Sequence, residues 1–378
     1  MSSQFVDGLE QIYIFCVNFL GLVLAEYYES QGVNVFLMDN AEAKQGHRIC
    51  GFDCISPDNG DRNIRCVIAA TKSGDIIKEQ LLNLGYNEIV FPDEEWKGIY
   101  YYGYAKKLND EKYLKFDWYL RFGTELNLDN PITFNEKLQW LKLHDRKEEY
   151  LKLADKYEAK MVVSETIGKK YVVPVIQVCD SFDEIDIEKL PDKFVIKSTH
   201  DSGGVKICRD KSEFDFSLLK IDYDQRLKEN YFYCEREWAY KGIKPRIIIE
   251  ELLESDESAD VWDYKFFCFN GEVKLIQVDF DRSTDHHRNL YTEQWEYLDA
   301  TIKYPNNPNI VIPKPSKFDE MLWCVKKLAK GIPHVRIDLY YVNKRVYFGE
   351  FTFYHGGGYE LFLPEELGIK LGSFITVV

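Results

Sequence analysis

Lys197 stands in the apolar run Phe194 to Ser198 and is followed closely by Ser202-Gly203-Gly204. A lysine beside a turn with little side chain suits phosphate, because backbone N–H groups can approach it while the ammonium supplies charge. Farther on, Arg336 to Thr352 reads as two strand-like runs joined by the polar turn Val342 to Arg345, with Asp338 on the first and Glu350 on the second. Carboxylates on neighbouring strands can face one magnesium-nucleotide, since magnesium takes hard oxygen ligands. Each half alone is common in α/β proteins. Together, in this order, they make an ATP site the expectation. Burying a lysine is costly without a partner, so Lys197 reads as functional or salt-bridged.

Several elements must position these groups. Phe194 to Ser198, the turn Asp201 to Gly204 and the run Val205 to Cys208 read as strand, turn and strand, unlike a phosphate loop that opens directly into a helix. Arg246 to Leu253 is an apolar strand running into Glu250 and Glu251. Tyr171 to Val175 contains Pro174 and so reads as an edge strand or strand terminus. Thr133 with Glu136 forms a capping box for a helix through Trp140 and Leu143. Asp222 to Tyr240 reads as one charged and aromatic helix, and Asn270-Gly271 as a hairpin turn between apolar runs. A helix over Pro315 to Gly331 precedes the carboxylate strands. The triplet Gly356 to Gly358 reads as a mobile loop near the site or a linker.

Upstream, the runs Ile12 to Phe15, Asn34 to Met38, Val67 to Ala70 and Glu88 to Phe91 alternate with helical stretches such as Leu22 to Ser30 and Asp75 to Leu84. This pattern predicts a small parallel βαβ domain. The turn Cys16 to Gly21 keeps only the last glycine of a dinucleotide fingerprint, and Cys16 and Asn18 would crowd a pyrophosphate, which disfavours NAD. Asp39 ends the second strand, where such folds often carry a ribose-binding acid. Aromatics crowd Trp96 to Tyr104, and a domain boundary is expected near residue 100. The expected organisation is a Rossmann-like domain at 1–100 and a second region at 101–378, with a lid subdomain at about 170–250.

Composition bounds the partners. The 378 residues suffice for two or three domains with well-formed cores. An excess of 63 acidic over 48 basic residues, net charge -15, argues against a general nucleic-acid binder. Nine cysteines, odd in number and without a CxxC pair, indicate neither a disulfide framework nor a zinc knuckle, and point to the reducing cytoplasm. Ile12 to Ala25 is apolar but too short to span a bilayer, so no membrane span is expected.

Read as a series, Asp155-Lys156, Lys197 with its glycine turn, Ile-Glu-Glu, Asp-Tyr-Lys, Arg-Ile-Asp and Gly-Glu-Phe-Thr resemble the ATP-grasp superfamily. The blocks FNEKLQWLKLHDR, FVIKSTHDSGG, EREWAYKGIKPRIIIEELL, DYKFFCFNGEVK, VRIDLY and YFGEFTF look like its TupA-like family of polysaccharide and teichuronopeptide biosynthesis, from about Phe116 to the C-terminus. The fold implied is α/β (α+β), an ATP-grasp fold preceded by the small Rossmann-like domain. That first domain, with Asp39 to Pro57 and Ile68 to Leu81, also resembles the N-terminal domain of PglD-type sugar acyltransferases, where a nucleotide-sugar sits at the first βα turn. A scaffold or dimerisation role, which admits a homodimer, stands beside that reading.

The ATP-grasp resemblance implies roles residue by residue. Lys197 would lie over the ATP phosphates with Lys156 or Lys265, and Ser202, Gly203 and Gly204 would donate backbone N–H groups. Glu250, Glu251, Leu252 and Leu253 would form the hinge that reads adenine. Asp338 and Glu350 would hold Mg2+, with Thr352 at the place of a customary asparagine. Lys265, Arg336 and Arg282 would act on the charge that develops in phosphoryl transfer. Arg282, His286 and Arg288 form a basic cluster that could grip an anionic acceptor. The activity implied is an ATP-dependent carboxylate-amine ligase acting through an acyl phosphate, on a sugar acid and an amine. A kinase and a non-catalytic nucleotide-binding scaffold are the alternatives.

Overall fold

A computed structural model of the protein describes residues 8–70, 73–92, 102–255, 261–280 and 285–377. The chain forms two compact units, Met1–Leu126 and Asn127–Val378.

In the first unit β1 (Gln11–Phe15) leads into α1 (Phe19–Ser30) and β2 (Asn34–Met38), followed by a short hairpin of β3 (Arg48–Ile49) and β4 (Phe52–Ile55). Then come β5 (Cys66–Ile68), α2 (Gly74–Asn83), β6 (Ile89–Val90), α3 (Tyr102–Lys107) and α4 (Asp110–Phe122). The sheet order is β3-β4-β2-β1-β5-β6, and all neighbours except β3 and β4 run parallel. The four expected strands are all present; the β3-β4 hairpin was not anticipated. Its turn, Cys50-Gly51, takes positive φ at both residues (51° and 94°), which only Gly adopts without strain. Asn18 starts α1 by accepting from Gly21 N at 2.8 Å, so this residue serves the helix end. Leu22, Val23, Leu24 and Ala25 on α1 are fully buried; each such Leu or Val contributes on the order of 1.5–3 kcal/mol.

The boundary lies later than residue 100. Leu108 and Phe116, flanking the start of α4 and within it, belong to the same core as α1, β1 and β2. Helix α4 starts on the Asn109 side chain and ends at Gly123 with φ 70°. Apolar burial rather than the aromatic stretch therefore sets the division; Trp96 to Tyr101 lie outside the described residues.

The second unit begins with α5 (Phe134–His144), α6 (Glu149–Ala154) and α7 (Glu158–Thr166). The Thr133–Glu136 capping box is formed at both ends. A four-stranded antiparallel sheet follows, built of β7 (Val175–Cys179), β8 (Phe194–Ser198), β9 (Val205–Cys208) and, after α8 (Phe216–Arg226) and α9 (Phe232–Glu235), β10 (Ile247–Glu251). Its order is β7-β10-β8-β9, so β7 is at the edge and starts just after Pro174. The single helix expected over Asp222 to Tyr240 is broken. Asn230 accepts from Phe232 N at 3.1 Å and donates to Lys241 O at 2.9 Å, and Arg236 takes φ 56°.

A six-stranded antiparallel sheet completes the unit, from β11 (Asp263–Phe269), β12 (Glu272–Phe280), β13 (His287–Tyr291), β14 (Tyr297–Leu298), a short β15 (Thr301–Ile302), α10 (Phe318–Leu328), β16 (His334–Val342) and β17 (Arg345–Thr352). The six-stranded order is β14-β13-β12-β11-β16-β17. A short β18 (Phe362–Leu363) pairs with β15, and α11 (Glu365–Ser373) closes the unit. Asn270 and Gly271 turn the β11-β12 hairpin with φ 49° and 84°, as the sequence predicts. One face of this sheet packs apolar side chains such as Phe266, Ile276 and Ile337 against Phe318, Met321 and Val325 of α10. The opposite face carries the charges.

Candidate active site

The four-stranded sheet presents Lys197 by register. Lys197 on β8 lies opposite Ile248 of β10 and Val205 of β9; the next row on that face holds Glu250, Val195 and Ile207. Lys197 Nζ donates to Glu250 Oε2 at 2.8 Å, and Lys160 Nζ from α7 lies 3.1 Å from Glu250 Oε1. Burial by itself would raise the Glu250 carboxyl; Lys197 and Lys160 outweigh it and hold the group below its usual range. Lys197 is thus salt-bridged, and its partner is the first residue of the stretch expected to form the hinge, Glu250 to Leu253. The Glu250 side chain turns inward between two ammonium groups. Leu253 packs near Val173, Tyr340, Val342 and Tyr347, an apolar patch suited to a flat ring.

The turn after β8 is built on Asp201. Its carboxylate accepts from Ser198 Oγ and from Arg226 Nη1 at 2.9 Å, and its carbonyl accepts from Lys156 Nζ. Ser202 and Gly203 are exposed, whereas Gly204 is buried. A β-carbon on Gly204 would lie 1.9 Å from Ser198 Oγ and 2.7 Å from Asp201 Oδ1. Gly204 is therefore required for packing the turn, while Ser202 and Gly203 leave backbone open to a ligand. His200 is buried with Nε2 2.9 Å from Arg226 O, a structural placement. Burial pushes the Lys156 ammonium down, against the pull of Asp201 and Glu350.

The six-stranded sheet supplies the other wall. Gln277, Lys265, Asp338 and Glu350 stand opposite one another across β12, β11, β16 and β17, and the next row holds Phe267, Arg336 and Thr352. Arg336 grips Asp338 through Nε–Oδ1 at 2.7 Å and Nη2–Oδ2 at 2.8 Å, and Lys265 Nζ adds a contact to Oδ2 at 2.7 Å. Burial would raise the Asp338 carboxyl, but Arg336 and Lys265 hold it well below the usual range. Glu350, 43% exposed, accepts from Arg336 Nη2 at 3.1 Å and from Thr352 Oγ1 at 3.2 Å. Lys265 also reaches Asp263 at 3.2 Å. The two walls sit within electrostatic reach of one another. Lys156 feels Glu350, and the half-buried Tyr340 phenol is raised first by Asp263, then by burial and by Glu350, Asp338 and Glu250.

The basic cluster is arranged differently from the expectation. Arg288 lies on β13 and is buried, with Nε 2.6 Å from Asp279 Oδ1 and Nη1 3.4 Å from Glu360 Oε2. Its charge is already matched inside the fold, because a guanidinium enters a protein interior only with carboxylate partners. His286 stacks on Tyr304 at 3.8 Å and lies 3.5 Å from Asp279. Arg282 lies outside the described residues.

Sequence reasoning missed Lys160, Tyr340 and His355. Lys160 had one signal, its position four residues after Lys156; the others had none until the strands and the last turn were placed.

Among the described residues no group of three or more His, Cys, Asp or Glu is arranged to hold a metal ion by itself. Asp338, Glu350 and Thr352 offer oxygens side by side; both Asp338 oxygens are engaged by Arg336 and Lys265, whereas Glu350 keeps an exposed carboxylate oxygen of the hard kind magnesium takes.

A family model described as TupA-like ATPgrasp matches residues 136–376. No curated protein sequence matches the chain. Solved structures to which the chain is similar include N5-carboxyaminoimidazole synthetase from Staphylococcus aureus complexed with ADP, at 14% identity over 91% of this chain and 70% of that one, TM-score 0.32. An L-amino acid ligase from Bacillus licheniformis is similar at 12% identity, 92% and 69% coverage and TM-score 0.35. A D-alanine–D-alanine ligase from Bacillus anthracis is similar at 14%, 97% and 96%, with TM-score 0.32. The family match, rather than these distant likenesses, carries the assignment. The match covers well over half of the chain, including both walls of the site, so the chain belongs to the TupA-like ATP-grasp family, and through it to the ATP-grasp superfamily.

Proposed function

We propose that the second unit binds ATP between its two sheets and uses it to join a carboxylate to an amine, the carboxylate being that of a sugar acid such as a uronic acid of a capsular or cell-wall glycan precursor. The observation that carries this reading is the convergence of Lys156, Lys160 and Lys197 from one wall with Arg336, Lys265 and Glu350 from the other. Phosphoryl transfer places charge on non-bridging oxygens, and fixed cations stabilise it. The substrate carboxylate oxygen attacks the γ-phosphorus and ADP departs. The amine nitrogen then attacks the acyl carbon, inorganic phosphate departs, and the amine loses a proton. This sequence needs no covalent enzyme nucleophile.

Lys197, Lys160 and Lys156 compensate the phosphates, and nucleotide binding draws Lys197 from Glu250. The exposed backbone of Ser202 and Gly203 offers donors, and Leu253 with Val173 and Tyr340 packs the base. Arg336 and Lys265 face the transferred phosphoryl group. Asp338, Glu350 and Thr352 would hold Mg2+, which supplies further positive charge on the phosphates when bound. Among the described residues no helix is long and apolar enough to cross a membrane.

In the first unit the turn after β1 meets its own hydrogen bonds, which favours a scaffold over the nucleotide-sugar role of PglD-type domains.

Reactions containing ATP, Mg2+, a panel of UDP-uronic acids and a panel of amines, read by mass spectrometry, test the proposal. An amide with equimolar ADP and phosphate is the expected outcome. A phosphorylated product that persists beside excess amine would instead identify a kinase, and MgADP binding without turnover a nucleotide-binding scaffold.

A further inference from the structure

The turn after β17, His355 to Gly358, is neither a linker nor a free loop. His355 is buried, with its ring edge-on to Phe267 at 4.9 Å. Gly356, Gly357 and Gly358 all take positive φ (55°, 62° and 76°). A β-carbon would lie 2.4 Å from Glu360 at Gly356, 1.9 Å from Glu235 at Gly357 and 2.5 Å from Gln139 at Gly358. Positive φ at three successive glycines gives the turn a shape that other residues rarely adopt, and that shape delivers His355 to Arg336.

We propose that His355 is the positioning residue of Arg336, holding the guanidinium through its Nδ1 lone pair, with the Glu360 carboxylate behind it favouring that tautomer. The proposal rests on the reading of Arg336 as a group that faces the transferred phosphoryl.

Arg336 Nη1 lies 2.6 Å from His355 Nδ1, and His355 Nε2 lies 3.1 Å from Glu360 Oε2. A guanidinium only donates, so Nδ1 must accept and carry no hydrogen, which leaves the hydrogen of a neutral ring on Nε2, facing the Glu360 carboxylate. The ring is therefore neutral, and burial, which pushes its pKa down to about 4, agrees. Glu360 is held in turn by Lys303 at 2.7 Å and Arg288 at 3.4 Å. This gives the Asp279–Arg288 pair a purpose other than gripping substrate: it anchors the far end of the chain that runs through Glu360 and His355 to Arg336. Asp338 fixes one edge of the guanidinium, Glu350 and Thr352 share Nη2, and His355 fixes the opposite end. One Nη1 hydrogen remains, and His355 sets where it points.

The test uses the full chain with 15N-labelled histidine and arginine. At about pH 7 the ring lost in His355→Asn should show an unprotonated Nδ1 and a protonated Nε2; an Nδ1–H tautomer or an imidazolium overturns the proposal. Hydrolysis of ATP with Mg2+ alone should fall about 10-fold or more in His355→Leu while MgADP affinity stays within about 3-fold. His355→Asn, which keeps an acceptor near Nδ1, should recover most of the loss. The Arg336 Nε–H resonance should stay sharp in wild type and His355→Asn and broaden in His355→Leu. Wild-type turnover in His355→Leu, or equal loss in both variants with equal loss of melting temperature, overturns the positioning role. Failure of the wild type to bind MgADP would instead sink the ATP reading, and the nitrogen resonances would still decide whether His355 holds Arg336.

Discussion

The segment after β1, Cys16 to Gly21, which runs into the first turn of α1, and the turn after β8, Thr199 to Gly204, both follow a buried strand and both end on glycine. In the first, Val17 N donates to Asp39 Oδ2 at 2.9 Å, Gly21 N to Asn18 Oδ1 at 2.8 Å, and Asn18 Nδ2 to Ala69 O at 2.8 Å. The first βα turn, where such folds place a pyrophosphate, is thus filled by the protein's own side chains. In the second, Asp201 takes over the inner hydrogen bonds from below and leaves Ser202 and Gly203 exposed beside Lys197 and Lys156. Both terminal glycines are forced by packing, with β-carbons that would fall 2.1 Å from Cys16 O and 1.9 Å from Ser198 Oγ. A glycine at the end of a turn therefore records a close approach, and only the surrounding donors and charges tell whether the approach is by ligand or by protein.

That contrast can be broken in order of effect. Gly21→Ala should destabilise the first unit by about 3 kcal/mol, because the new carbon meets backbone that cannot rotate away; hydrogen exchange of α1 should report it while MgADP affinity is unchanged. Lys197→Ala should weaken MgADP binding about 10- to 100-fold, roughly 1.4 to 2.8 kcal/mol by calorimetry, and leave α1 exchange alone. Unaltered binding in that variant would make the two turns equivalent and end the assignment. Asp39→Ala removes the acceptor for Val17 N, Ala41 N and Lys44, and should cost about 2 kcal/mol in the same exchange experiment. Asn18→Ala should cost about 1 kcal/mol, the usual worth of a helix cap. Binding of a UDP-sugar to the wild-type first unit, seen as shifts confined to residues 8–126, would erase the contrast from the other side.

Much of this was open to inspection in the residues. The parallel strands of the first unit, the Thr133–Glu136 cap and the Asn270-Gly271 hairpin follow from periodicity and turn chemistry, which act over a few neighbours. The β3-β4 hairpin escaped because its positive-φ turn is Cys-Gly, whose cysteine is a poor signal. The broken helix after Arg226 turns on Asn230, whose side chain accepts from Phe232 N two residues on, a local signal, and donates to Lys241 O, a partner that only the fold supplies.

The sequence by itself determined the inventory: a lysine before a glycine turn, two carboxylates on adjacent strands, and an ordered series of blocks belonging to one family. Tertiary structure decided which of these groups are free to act. It paired both Lys197 and Lys160 with Glu250, enclosed Asp338 between Arg336 and Lys265, and withdrew Arg288 into an ion pair with Asp279. It also placed His355 against Arg336. The physical reason is that the free energy of a buried charge depends on partners dozens of residues away in the chain, and strand register alone brings those partners within hydrogen-bonding distance.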